Sequence, residues 1–245
     1  MNNKTILAMD TSGMTAAVAL VRDGCLVGEY NSTNKKTHSQ TLLPMIAQIC
    51  QMAQQDPSKL DAIAVSSGPG SFTGLRIGSA TAKGMAFAIG CPIVEVPTLE
   101  GLACNLSETE GIVVPMMDAR RSQVYTAIYR FRQGNCETLA DAMAVPVQEL
   151  IEQINTYGEA AWLLGDGAVL YREELSRGLR CSYHFAPVHL NLPKGSSIAF
   201  CGLRRLEAGL AIPGSQHKPE YLRPSQAERE REARKARQES NEQFT

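Results

Sequence analysis

The stretch Val65–Gly90, VSSGPGSFTGLRIGSATAKGMAFAIG, constrains this chain more than any other. A glycine-rich turn, Ser67–Ser71, opens an eighteen-residue segment, Thr73–Gly90, with the composition of a helix that has almost no water-facing side. Only Arg76 and Lys83 are charged, and at seven positions apart they share one narrow stripe. Gly74, Gly78, Ala82, Ala86 and Gly90 recur at every fourth position and make a second stripe without bulk. A helix that is apolar nearly all round must be covered on more than one side. Two charges and four glycines argue against a bilayer span, which needs about 20 predominantly apolar residues. The reading is a helix with a sheet on one face and something else on the other. Small residues at this spacing let a second backbone come close.

The chain has 245 residues, 44% of them hydrophobic and 20% charged, with a net charge of −1. That is enough to bury the core of one large domain or of two lobes. The near-neutral balance gives no basic footprint for nucleic acid or an anionic membrane surface. Before Asp10 the only apolar run is Ile6–Met9, too short for a signal-peptide core. Seven cysteines are scattered with no C-x-x-C among them, which indicates neither a disulfide framework nor a zinc site. They read as reduced thiols of a cytoplasmic protein.

Taken in order, Thr5–Asp10, Thr15–Arg22 and Cys25–Tyr30 read as three strands, the last two joined by an Asp23-Gly24 hairpin turn. Ser39 or Thr41 caps a helix to about Gln54, with Pro44 in or beside its first turn. Leu42, Ile46, Ile49 and Ala53 line one apolar face of it; Leu43, Ala47 and Cys50 line another. Strand Leu60–Ser66, the central helix, strand Ile93–Val96 and helix Thr98–Asn105 complete a mixed sheet flanked by helices, which is not a Rossmann alternation. A weak echo follows, since Val113–Asp118 ends in Met-Asp as Ile6–Asp10 does. Strands are then expected at Gln123–Phe131, Cys136–Val145 and Ala161–Gly165, and helices at Val147–Asn155, Gly167–Arg177 and Ser196–Leu210. The expected organisation is an N-terminal lobe, 1–107, a smaller lobe, 108–224, and a charged tail, 225–245. The tail carries five basic and five acidic residues between Glu228 and Glu242 and reads as a solvated helix or disordered segment.

Two turns have the look of anion sites. Asp10-Thr11-Ser12-Gly13 is either a phosphate-facing turn or an ordinary hairpin turn. Ser67–Ser71 precedes a helix but matches neither the P-loop nor G-x-G-x-x-G, and its glycines suit a tight strand-to-helix turn. Asp118-Ala119-Arg120-Arg121 either contacts phosphate at a lobe cleft or is a solvated turn. None of His38, His184, His189 and His217 is followed by a His, Cys or Asp three or four residues on, and no serine lies in G-x-S-x-G.

The segments LAMDTSGMTAAVAL, HSQTLLPMI, SSGPGSFTGLRIG, VPTLEGLA and DARRSQVY together resemble the TsaB (YeaZ) family, in register from the N-terminus to at least Tyr129. Tyr221-Leu222-Arg223-Pro224 resembles its C-terminal signature. The resemblance implies an α/β, actin-like and Hsp70-like (ASKHA) duplicated two-lobe fold. It implies a role in making threonylcarbamoyladenosine beside the anticodon of tRNAs that read codons beginning with A. The family member there is the non-catalytic partner of its paralogue TsaD, with the ATPase TsaE associating with the pair. It forms a homodimer when TsaD is absent and meets tRNA only indirectly.

Where TsaD carries a metal-binding H-x-x-x-H, this chain has Thr98 and Leu102, and Leu164-Gly165-Asp166-Gly167 only loosely matches its adenosine motif. The resemblance therefore implies a pseudoenzyme with no catalytic residue, cofactor or metal, in which Asp10, Ser12, Gly13 and Asp118 are vestigial phosphate-loop positions. It places the partner interface on Leu42, Ile46 and Ile49 of the first helix and on Thr73, Gly74, Arg76, Ile77, Gly78, Ala80, Thr81, Lys83 and Gly84 of the central one. The rival reading is a small-molecule kinase or ATPase of the same superfold, with Asp10 and Asp118 around a magnesium–nucleotide. A peptidase reading has no nucleophile–base machinery behind it.

Overall fold

Strand β1 (Thr5–Asp10) is buried from Ile6 onward, with Ile6 and Ala8 facing one core and Leu7 and Met9 another. A strand apolar on both sides needs cover on both, and this sets the layering. The computed structural model describes residues 4–34, 36–132 and 135–223. In it, β1 pairs antiparallel with β2 (Ala16–Arg22), which pairs antiparallel with β3 (Cys25–Ser32). Asp23 and Gly24 both take positive φ, as the tight hairpin turn between them requires. On its other edge β1 runs parallel to β4 (Ala62–Gly68), which runs parallel to β5 (Ile93–Pro97). The short β11 (Ala211–Ile212) closes that edge.

Helices α1 (His38–Met52) and α2 (Phe72–Ile89) cover the face carrying Leu7, Met9, Val18, Leu20, Ile63 and Val65. Helices α3 (Thr98–Ala103) and α7 (Gly195–Glu207) cover the opposite face. The second sheet repeats the plan. Strand β6 (Ile112–Asp118) pairs antiparallel with β7 (Gln123–Arg132) and β7 with β8 (Asn135–Pro146), while β6 runs parallel to β9 (Ala161–Leu164) and β9 to β10 (Tyr183–Phe185). The order β10-β9-β6-β7-β8 matches β5-β4-β1-β2-β3 strand for strand and sense for sense. The Met-Asp echo thus marks a duplicated sheet. Helices α4 (Val147–Tyr157), α5 (Asp166–Leu170) and α6 (Arg172–Gly178) pack on its outer face. Its inner face, with Val113, Met117, Ala127 and Tyr129, shares one core with α3, α7 and the first sheet.

Several local expectations need correction. Helix α1 starts at His38 after Thr37, so Pro44 lies inside it and not in its first turn. The helix expected over Gly167–Arg177 breaks at Tyr171 into α5 and α6. Strands β10 and β11 went unpredicted because three and two residues carry no readable alternation. Both α7 and β11 pack on the first sheet, although they fall in the stretch 108–224 assigned to the second lobe. The charged tail, 225–245, lies outside the described residues.

Candidate interaction face and inter-lobe cleft

Helix α2 begins where Ser71 accepts a hydrogen bond from the Gly74 N–H (3.3 Å), an N-cap, and ends where Gly90 turns left-handed at φ 79°. Its small-residue stripe faces inward. The Thr11 hydroxyl donates to the Gly74 carbonyl at 2.7 Å. A Cβ at Gly74 would stand 1.9 Å from the Thr11 carbonyl oxygen, and one at Gly78 would stand 2.5 Å from Thr11 Oγ1. These glycines seat the helix on the end of its own β1, so Gly74 and Gly78 are not partner-contact positions. The same correction applies to α1. Leu42, Ile46 and Ile49 are 1%, 4% and 2% exposed and sit in the core beneath the sheet, not on the surface of the helix.

What α2 leaves outside is Thr73, Arg76, Ala80 and Gly84, with Ile77, Thr81 and Lys83 half-buried. Three further residues that were not assigned to the interface join them: Phe87 at 92% exposure, and Leu43 and Met52 on α1 at 57% and 71%. Phe87 continues the stripe of Arg76, Ala80, Lys83 and Gly84 at helical spacing, so the signal for it was present in the sequence. Neither helix carries a carboxylate.

A segment near the C-terminus, residues 213–223, straps this helix to the second lobe. The Glu220 N–H donates to the Ser67 carbonyl at 2.6 Å. Lys83 Nζ donates to the His217 carbonyl at 3.1 Å and Arg76 Nε to the Tyr221 hydroxyl at 3.3 Å. The Tyr221 ring stacks on Phe72 with centroids 4.0 Å apart, and buried His217 sits 2.6 Å from Glu95 Oε1. Arg223 then donates to the Ala119 carbonyl at 3.0 Å and lies over Tyr125. The sequence offered only the family signature here, because these contacts join residues far apart in the chain.

Between the lobes lies a cleft of about 370 Å³, walled by Ser12–Met14, Gly70–Phe72, Met117–Arg120, Tyr125, Asp166 and Arg223. Ser12 and Gly13 line it, whereas Asp10 lies beneath the turn. Asp10 is 1% exposed, and its Oδ1 accepts from the Ser12 N–H (2.7 Å) and the Ser66 hydroxyl (3.0 Å). Burial pushes its carboxyl above the ordinary carboxylate range, against the pull of those bonds. Asp118 Oδ1 accepts from the Arg120 N–H at 2.8 Å, and its own N–H donates to Asp166 Oδ1 at 3.2 Å. Arg120, Arg121 and Ser122 follow with φ of 65°, 57° and 57°, a strained left-handed run that turns β6 into β7. Thr98 Oγ1 accepts from the Gly68 N–H, and Leu102 is a core residue. Among the described residues no group of three His, Cys, Asp or Glu side chains could hold a metal ion.

A family model described as TsaD, tRNA N6-adenosine threonylcarbamoyltransferase, matches residues 28–230. The tRNA threonylcarbamoyladenosine biosynthesis protein TsaB of Bacillus subtilis (strain 168) is 35% identical over 230 residues, which span 91% of this chain and 96% of that one. The protein of the same name from Escherichia coli (strain K12) is 35% identical over 150 residues, 60% of this chain and 64% of that one. The solved structure of YeaZ from Pseudomonas aeruginosa superposes with a TM-score of 0.79 at 28% identity, covering 89% of this chain and all (100%) of that one. A ROK hexokinase from Thermus thermophilus, at 11% identity and a TM-score of 0.50 over 84% of this chain and 100% of its own, shares the fold alone. The two sheets of identical strand order are the halves of the actin-like, Hsp70-like fold, and the chain belongs to the TsaB (YeaZ) family.

Proposed function

We propose that this chain is a non-catalytic subunit for tRNA N6-threonylcarbamoyladenosine formation that binds and activates TsaD through the outer faces of α1 and α2. TsaE joins through that pair, and the chain pairs with itself through the same face when TsaD is absent. The names of its relatives support the pathway. The single observation that carries the scaffold reading is the outer stripe of α2, which exposes Phe87 almost fully beside Ile77, Ala80 and Gly84. An apolar stripe of that kind fits an interface, and stable ones bury roughly 800 Å² per partner. The net charge of −1 supports indirect tRNA contact through the partner. No described helix is long and apolar enough to cross a membrane. The tRNA-modification names of its relatives are what support placing the protein in the cytoplasm.

The rival kinase reading needs Asp10 at a nucleotide, yet Asp10 does not line the cleft. The test of the scaffold is a charge at Ala80 or Ile77. Ala80→Asp and Ile77→Asp are expected to abolish association with the TsaD of the same organism, measured by light scattering, and to abolish reconstituted tRNA modification. Unchanged binding and modification by a folded variant would overturn the reading.

A further inference from the structure

We infer that the charges of α2 select a partner bearing carboxylates and work against self-pairing of this chain through the same face; this rests on reading that face as the interface. Arg76 and Lys83 are the only ionised groups on α2, and α1 carries no acidic or permanently basic side chain. Each cation is held by a neutral acceptor, Arg76 by the Tyr221 hydroxyl and Lys83 by the His217 carbonyl. Neither lies within ion-pair distance of a carboxylate among the described residues. Their positive charge is therefore fixed in place by the strap and left uncompensated on the surface.

Seven residues separate them, two turns and roughly 10 Å along the helix axis. Ala80 lies at their midpoint and is an exposed position where a second helix backbone can come close. In a two-fold pairing of α2 with α2 that crosses there antiparallel, Arg76 of one copy falls beside Lys83 of the other, and in a parallel one each cation meets its own counterpart. Symmetry repeats the pair. Sliding the axis toward Gly84 parts Arg76 from Lys83 but brings Lys83 beside Lys83 of the second copy, and neither helix supplies a carboxylate. Self-pairing of α2 with α2 thus sets cation against cation, with no carboxylate on either helix to relieve it. A heterologous partner with an apolar helical surface and carboxylates opposite Arg76 and Lys83 gains where the second copy loses. One pair of side chains supplies both the attraction and the rejection that partner choice needs.

The test is sedimentation equilibrium of the full chain, alone and with the TsaD of its organism, at low and high salt. Arg76→Glu sets an anion against Lys83 of the second copy, and self-association is expected to tighten by about tenfold while binding to TsaD weakens. Lys83→Glu is expected to act the same way, and the double variant to lose the gain, since like charges face each other again. Raising salt from about 0.05 M to about 0.5 M should strengthen self-association of the wild type and weaken the heterocomplex. If the single reversals leave the chain monomeric, or weaken self-association, the charge selection is wrong. If they do so while Ala80→Asp still abolishes TsaD binding, the interface stands without it. If Ala80→Asp is also without effect, the interface reading itself has failed.

Discussion

Replacing Gly74 and Gly84 by alanine, one at a time, sets identical chemistry against two environments on one helix. Alanine is favoured over glycine in a helix interior by about 1 kcal/mol, a gain that applies in full at Gly84 and only in part at Gly74 in the first turn. Gly84 is exposed and an added Cβ meets nothing within 4 Å, so the gain survives. Gly84→Ala is expected to stabilise by about 0.5–1 kcal/mol, a rise in Tm of roughly 1–4 °C for a chain of this size. At Gly74 the new Cβ would stand 1.9 Å from the Thr11 carbonyl, a backbone atom at the end of a buried central strand. The Thr11 hydroxyl bond to the Gly74 carbonyl ties helix and strand at the same point, so neither yields without losing it. Overpacking of this kind costs about 1–3 kcal/mol or more and outweighs the propensity gain. Gly74→Ala is expected to lose about 2 kcal/mol net, with Tm falling roughly 4–8 °C. Calorimetry on the two variants and the wild type decides it. If Gly74→Ala melts at or above the wild type, α2 is not seated on Thr11 through its glycine stripe, and the inside–outside assignment of the helix collapses.

Adjacent leucines of α1 should part company in urea melts. Leu42→Ala opens a core cavity and is expected to cost about 2–5 kcal/mol, whereas Leu43→Ala should stay within about 0.5 kcal/mol and instead weaken TsaD binding; equal costs would refute the face assignment. Tyr221→Ala removes the stack on Phe72, worth about 0.5–1.5 kcal/mol, and the hydroxyl that holds Arg76, so amide exchange at Glu220 should quicken; unchanged exchange would mean that the strap is held by other contacts. Asp10 gives a pH signature. Burial raises its folded-state pKa above the ordinary 3.8, so the native state binds the proton more tightly than the unfolded one. Stability therefore falls as pH rises through that window, and the penalty is complete above the folded value. Asp10→Asn removes the titration, and its stability relative to wild type should be greater at about pH 7 than at about pH 4; a pH-independent difference would refute it.

The architecture was legible where burial is written locally. Thr5–Asp10 matches β1 residue for residue because an unbroken apolar run ends in a turn-forming aspartate, and Asp23-Gly24 fixes the hairpin after β2. Duplication was visible only as Met-Asp before two turns; the full proof, identical strand order in both sheets, depends on pairings that no single segment encodes. Which side chains of the two helices stay exposed was legible only in part. Periodicity finds two apolar stripes on α1 but has no means of choosing between them, since Leu42 and Leu43 are the same residue and only the position of the sheet decides. The strap was invisible for a different reason. Tyr221 meets Phe72 and Arg76, and Arg223 meets Ala119, across separations that leave no spacing to read.

The two stripes of α2 are one design. An ordinary surface helix turns its bulk inward and its small or polar residues outward. Here Gly74, Gly78, Ala82 and Ala86 face inward, which brings the helix axis down close to the end of β1 and the edge of β4. A helix seated that low has only Leu75 as a large, fully buried inward residue, and its remaining bulk is displaced to the flanks and the outside. Ile77, Met85 and Ile89 reach the core sideways, while Phe87 finds no cover among the described residues. Scattered exposed apolar residues are common on soluble proteins and carry little meaning singly. An exposed phenylalanine on the far side of a buried glycine stripe is different, because the glycines exclude it from the core. The inward stripe, first read as the place for a partner, is thus the reason that the place proposed for the partner is on the opposite face.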